Sequence, residues 1–321
     1  MSSLIRSRGR SAGAIGLLIG ALVSSPVGVA AAAAAAPSRL VSLVPSITET
    51  LFALGIGERV VGVSASCDFP EPARTLAKVG TFTAPVAEAI VALRPDLVLT
   101  SPSPGNQSAV RALERAGVRV AVVYGDGGIE EARQGMLAVA EAAGEGARGR
   151  DLVASIDAEL EAVRHAVAGL PRPKVAIAVG REPLILAGPA SYLGELVTAA
   201  GGDNVADAVG GRWPQVGLEY LVERRPEVIF DLSISMEEAD SSEQSPSAMD
   251  REKALMQAWA RLASVPAVAE RRVYAGAGGC ARAQRGSPLL RPGPRLGQAA
   301  RLLAARLHPE VSGLAGSERC K

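Results

Sequence analysis

The sequence predicts an α/β protein of two lobes, each built on a mostly parallel sheet with flanking helices, joined by a single long helix. Three observations carry this reading. A helix–turn–strand unit occurs twice. Short β-favouring apolar runs alternate with helical stretches along the chain. A long helical region, from Ile129 to about Ala168 and interrupted at Gly144 to Gly149, lies between the two copies of the unit.

The repeated unit reads EAIVALRPDLVLTS from Glu88 to Ser101 and EYLVERRPEVIFDLS from Glu219 to Ser233. Glu88 and Glu219 stand 131 positions apart, as do Arg94 and Arg225, each of which precedes a proline. An aromatic residue lies six positions before each glutamate, Phe82 and Trp213. In the first copy Ile90, Val91 and Leu93 suit one face of a helix of about two turns. Pro95 disfavours the α conformation at Arg94 and stops that helix. Leu97 to Leu99 then suit a buried parallel strand. Each glutamate therefore opens a helix, where a carboxylate is favoured by roughly 0.3–1 kcal/mol. That preference alone accounts for one surface glutamate. Two at matched spacing point to a pair of displayed acids.

Taken in order, residues 1–36 carry a basic stretch (Arg6, Arg8, Arg10), an apolar run from Ala12 to Val23, the breaker Pro26 and several A-x-A sites in Ala30 to Ala36. This is the pattern of a signal peptide; an uncleaved span over Ala12 to Ala36 is the alternative. The first cysteine is Cys67, so no lipid anchor is expected near the cleavage region. The first lobe is expected over 37–146. It opens with a strand at Leu40 to Val44, a helix from Thr48 to Leu54 closed by Gly55, and a strand at Val60 to Val63. A loop, Ser66 to Pro70, leads to the repeat, and Gln107 to Ala116 and Val118 to Val123 add a helix and a strand. The linking helix is set at 147–170, with the stripe Leu152, Ile156, Leu160, Val163 and Val167 on one face. Pro171 and Pro173 end it. The second lobe, 171–309, begins with a strand at Lys174 to Val179 and a helix from Ser191 to Ala200 closed by Gly201-Gly202. Met236 to Asp250, acidic and Ser-rich, reads as an aperiodic insertion. A helix from Arg251 to Ala263, a strand at Arg271 to Tyr274, a Gly/Arg-rich loop and a helix from Pro294 to Leu307 complete it, before a tail at 310–321.

Composition narrows the function. The net charge of +1 argues against nucleic acid as the main partner. With two histidines, His165 and His308, a three-histidine zinc site is impossible. No nucleophile–base signature is present, and neither a catalytic nor a metal-ligating set is assigned. The loop Gly125 to Gly128 resembles a phosphate cradle only superficially, because Asp126 would repel a phosphate. In the loop Gly276 to Cys280, with Arg282 and Arg285, small residues could admit a ligand and the arginines could meet anionic groups.

The segments RLVSLVPSITETLFALGIGERVVGVS, CDFP, EAIVALRPDLVL, RWPQVGLEYLV and RRVYAG resemble the substrate-binding proteins of ABC importers that handle cobalamin, ferric siderophores or haem. The resemblance covers Arg39 to Leu307. It implies the helical-backbone class of periplasmic binding proteins, with two Rossmann-like lobes. It implies permease docking through Glu88 and Glu219, each meeting arginines on one subunit of an ABC permease dimer in the inner membrane. It implies a ligand site drawn from Ser66, Asp68, Phe69, Phe82, Trp213, Cys280 and Arg291. RWPQV is nearest to the members that bind cobalamin. Three departures leave room for a siderophore or a corrin precursor: Ser66 replaces a tyrosine, a Gly/Arg-rich stretch replaces an aromatic and acidic loop, and Ala200 stands where a disulfide cysteine would; a ferric-siderophore or haem receptor is the alternative within the class. Cys67 and Cys280 fall in loops that the resemblance aims at the cleft, where they could ligate a metal or pair with each other. The expectation is a periplasmic, monomeric receptor with no cofactor of its own and a small metal chelate as cargo. An exported hydrolase with a cleft active site, and a sensor domain serving another membrane partner, are the rivals from other classes.

Overall fold

A computed structural model describes residues 36–125, 127–233, 248–276 and 287–311. The expected signal segment, Asp126, most of the 236–250 insertion, Cys280, Arg282, Arg285 and Cys320 lie outside these residues. The first lobe runs β1 (Leu40–Ser42), α1 (Pro45–Ala53), β2 (Val60–Val63), α2 (Glu71–Arg74), β3 (Ala77–Lys78), α3 (Ala87–Ala92), β4 (Leu97–Thr100), α4 (Gln107–Arg115) and β5 (Val120–Val122). Its strands lie in the order β3-β2-β1-β4-β5, every pair parallel. Helices cover both faces, so β1 and β4 are buried at every residue, as their unbroken apolar character requires. The strand order changes direction between β1 and β4, which opens a crevice at their carboxyl ends. Helix α1 begins at Pro45, earlier than the apolar pattern suggests, because proline suits a first turn whose amide has no partner.

After the connecting helices α5 (Ile129–Ala142) and α6 (Gly146–Ala166), the second lobe runs β6 (Lys174–Arg181), β7 (Leu184–Leu186), α7 (Tyr192–Ala199), β8 (Asp203–Asn204), α8 (Leu218–Arg224), β9 (Val228–Asp231), α9 (Ala248–Trp259), α10 (Pro266–Ala269), β10 (Val273–Ala275) and α11 (Leu296–Leu307). Strands β10, β9, β6 and β7 lie in that order, and β8 pairs with β6. Only β7 runs antiparallel, as the return arm of a hairpin with β6. Neither β7 nor β8 was legible in the sequence, since three and two residues are too short to show a period.

The repeat extends to the backbone. Helices α3 and α8 each carry the glutamate at their second position. Arg94 and Arg225 both turn left-handed, at φ 48° and 52°. The following proline closes the right-handed region to each arginine, and the chain takes the left-handed one instead, at a cost of about 1–2 kcal/mol. Ile90 and Leu221, again 131 positions apart, are the fully buried anchors of these helices. The expected inward face is corrected at Val91, which is exposed; Leu93 shares the packing with Ile90 instead.

The linking helix expected over 147–170 is α6, and α5 before it folds back along it. Gly144, at φ 79°, reverses the chain between α5 and α6. The contacts of Arg133 with Asp157, Ala140 with Gly149 and Glu141 with Arg150 show the two helices antiparallel. A Cβ on Gly149 would stand 2.4 Å from the Ala140 side chain, so only glycine allows this approach. Helix α6, with 21 residues, is about 32 Å long. The stripe Ile156, Leu160 and Val163 packs into the second lobe's core. Ile129, Ala132 and Met136 of α5 join that same core, whereas Val139, Ala140 and Ala143 belong to the core of the first lobe.

Candidate functional site

A cavity of about 300 Å³ lies at the crevice between β1 and β4. Its floor comes from the segments that leave the sheet: Val44 to Ile47 after β1, Ser101 and Pro102 after β4, Val123 and Gly125 after β5. Met136 and Val139 of α5 form one wall and Phe82 another. The second lobe contributes Leu290, Arg291 and Pro292. The site is thus an apolar slot between the lobes with a guanidinium at its edge.

That guanidinium belongs to an ionic cluster between the lobes. Arg291 Nη1 donates to Glu49 Oε1 at 2.8 Å, and its Nη2 donates to Asp68 Oδ1 and, at 3.2 Å, to the Ser66 carbonyl. Arg295, four residues on, donates to both oxygens of Glu49 at 2.6 and 2.8 Å. Its guanidinium also lies over the Phe69 ring, 3.9 Å from the centroid. Burial works against the charge of Arg291, but Glu49 and Asp68 beside it outweigh that and push its pKa up. A second tie lies at the start of α5. The Glu195 carboxylate accepts from the Ile129 amide at 3.1 Å, the Tyr192 amide donates to the Gly127 carbonyl, and Arg212 pairs with Glu131.

Among the sequence-selected residues, Phe82 and Arg291 meet in the cavity. Ser66, Asp68 and Phe69 do not line it; they serve the ionic cluster beside it. Trp213 is partly exposed and stands edge-on to Tyr192, with ring centroids 6.5 Å apart. Tyr192 in turn donates to the Leu289 carbonyl at 2.8 Å and so steadies the segment that reaches the slot. Cys280 lies outside the described residues. Glu88 and Glu219 are exposed, and neither carboxylate has a partner among the described residues. Each begins a helix at the carboxyl-end rim of its own sheet.

The residues the sequence reading missed are Glu49, Arg295, Glu131 and Glu195. Glu49 was visible as an acid inside an apolar helix, between Ile47 and Leu51, and Arg291 and Arg295 as cations at helical spacing.

Cys67 is placed differently from the cleft position expected for it. It points into the core of the first lobe and is fully buried. Its thiol accepts from Thr48 Oγ1 at 3.1 Å and lies 3.2 Å from Ser64 Oγ. Burial pushes its pKa up, against the smaller opposing pull of those hydroxyls. Metal ligation needs the thiolate and access, and this setting withholds both. In a thiol titration of the native protein, Cys67 is expected to react at least ~100-fold more slowly than in denaturant, as burial makes a cysteine inert until local opening. Loss of the slow phase in Cys67→Ser identifies it; prompt reaction of every thiol would overturn the placement.

Among the described residues no cluster of three or more His, Cys, Asp or Glu side chains could hold a metal ion, and no helix is long and apolar enough to cross a membrane.

Residues 40–277 match the model of a family described as periplasmic binding protein. The vitamin B12-binding protein of Vibrio campbellii is 28% identical over 192 residues, covering 60% of this chain and 70% of that protein. An uncharacterized ABC transporter substrate-binding lipoprotein of Bacillus subtilis, YvrC, is 30% identical over 199 residues, covering 60% and 63%. The apo structure of the periplasmic heme-binding protein RhuT from Roseiflexus sp. RS-1 superimposes with a TM-score of 0.68 at 29% identity, covering 85% of this chain and 99% of RhuT.

Proposed function

This chain belongs to the periplasmic binding protein family, and from that premise we propose that it captures a corrinoid between its lobes and delivers it to an ABC permease. It is a substrate-binding protein, not an enzyme, so the exported hydrolase drops out. The observation that carries the ligand reading is the apolar slot at the strand crossover, with Phe82 in its wall. An aromatic wall in a slot with few polar groups suits a large, flat, metal-bearing macrocycle. A slot of about 300 Å³ is at the small end for such sites. In this reading a corrinoid extends out of it, and Trp213, exposed on the second lobe, meets the part that emerges. Arg291 at the edge suits the polar periphery of the ligand. Haem or a ferric siderophore is the second reading, favoured by the likeness to RhuT, which is named for haem.

Delivery rests on Glu88 and Glu219. Each is exposed, unpaired and held on a short helix anchored by one buried residue. In this reading each lobe offers its carboxylate to a cation on one half of the permease. Helix α6, packed against α5, resists bending between the lobes, and the ionic cluster adds a second restraint.

Calorimetry against cobalamin, cobinamide, haem and several ferric siderophores tests the ligand. The expected result is binding of the two corrinoids, weakened about 10-fold or more in Trp213→Ala, the effect of losing an aromatic anchor. Saturable binding of haem with none of either corrinoid would sink the corrinoid reading.

A further inference from the structure

Four of the nine large apolar side chains that stand exposed among the described residues lie within three positions of Glu88 or Glu219. They are Val86 and Val91 around the first, and Leu218 and Val222 around the second, with relative exposures of 46, 40, 39 and 44%. Val91 and Val222 are each three residues after their glutamate, one helical turn along the same face. The internal repeat relates them, as it relates the buried Ile90 and Leu221 one position earlier. Each lobe therefore shows a similar small surface: a carboxylate with no partner among the described residues, with an apolar side chain one or two positions before it and another three positions after.

Scattered exposed valines need no explanation, since much of any protein surface is apolar. These are not scattered. Val91 and Val222 recur at matched places in the two lobes, and all four border the acids assigned to docking. A charge bordered by apolar groups gains from a partner that covers the whole patch. The apolar groups keep water from the ion pair, and the pair strengthens as the local dielectric falls.

We propose that Val86 and Val91, and Leu218 and Val222, are the apolar parts of two matched contact patches. Their partner is a membrane-protein surface of two equivalent halves, each presenting a cation set among apolar side chains. This deepens the docking role and rests on it. The carboxylates supply long-range attraction and orientation, which salt screens. The valines and the leucine supply short-range contact, which salt does not screen. Binding governed by the acids alone would collapse at high ionic strength, whereas this arrangement retains part of its affinity there.

The test measures affinity of the ligand-loaded protein for its permease in proteoliposomes, across a range of salt. Val91→Thr and Val222→Thr keep the side-chain shape and add a hydroxyl. The double variant is expected to bind about 10-fold more weakly, with the slope of affinity against salt, the melting temperature and the ligand affinity unchanged. Glu88→Ala with Glu219→Ala is expected instead to flatten the salt slope. If the glutamate variant matters and the threonine variant binds like the parent, this inference is overturned while the docking reading stands. If the glutamate variant binds like the parent, the docking reading itself falls. Equal binding of the parent protein to protein-free vesicles of the same lipids would mean that the patches meet lipid, which also overturns the proposal.

Discussion

Replacing Glu49 by alanine is expected to lower the unfolding free energy by about 3–5 kcal/mol, the cost of breaking a buried ion pair from one side. Glu49 is 3% exposed and accepts from both Arg291 and Arg295. Its removal takes the carboxylate shared by two guanidiniums out of the space between the lobes, with Asp68 left beside Arg291. Desolvation makes such unpaired charge costly, whereas the intact cluster contributes little beyond a neutral core of the same shape. The corresponding fall in melting temperature is on the order of 10 °C. Urea unfolding of parent and variant measures it. A loss below about 1 kcal/mol would place the cluster in the class of exposed, weakly contributing pairs.

The double substitution Glu88→Ala and Glu219→Ala carries the other large effect, on delivery and not on stability. Both side chains are exposed and form no hydrogen bond or ion pair among the described residues, so melting temperature and ligand affinity should stay where they are. Close charge pairs at interfaces show couplings of about 1.5–7 kcal/mol. Loss of two such pairs is expected to cut uptake through the reconstituted transporter by roughly 100-fold or more. Calorimetry on the variant run beside the uptake assay separates the roles. A collapse of ligand affinity would move the glutamates from docking into the pocket.

Much of this was legible in the chain itself, and the reasons are specific. The repeat around Glu88 and Glu219 could be read because proline and β-branched runs impose hard local constraints, and the structure repeats them down to the left-handed Arg94 and Arg225. The parallel sheets could be read because β4 and β9 are buried on both faces and so carry unbroken apolar runs. At Gly144 the sequence shows only an interruption, because a glycine in a helical pattern does not say which way the chain continues. The inter-lobe cluster was missed because its partners are far apart in sequence: Glu49 and Arg291 are separated by 242 positions. Side-chain direction was equally hidden at Cys67, where only packing decides whether a loop cysteine faces the cleft or the core.

The helical hairpin has a consequence for how the molecule comes apart. One end of α5 is interior to one lobe and the other end is interior to its neighbour, while Leu152 of α6 touches both cores. No plane through the chain separates two self-sufficient halves. Melting either half strips apolar surface from the other, so the lobes lose their order in one cooperative event. A fragment of either lobe cut away from the hairpin would expose the face that the hairpin had covered.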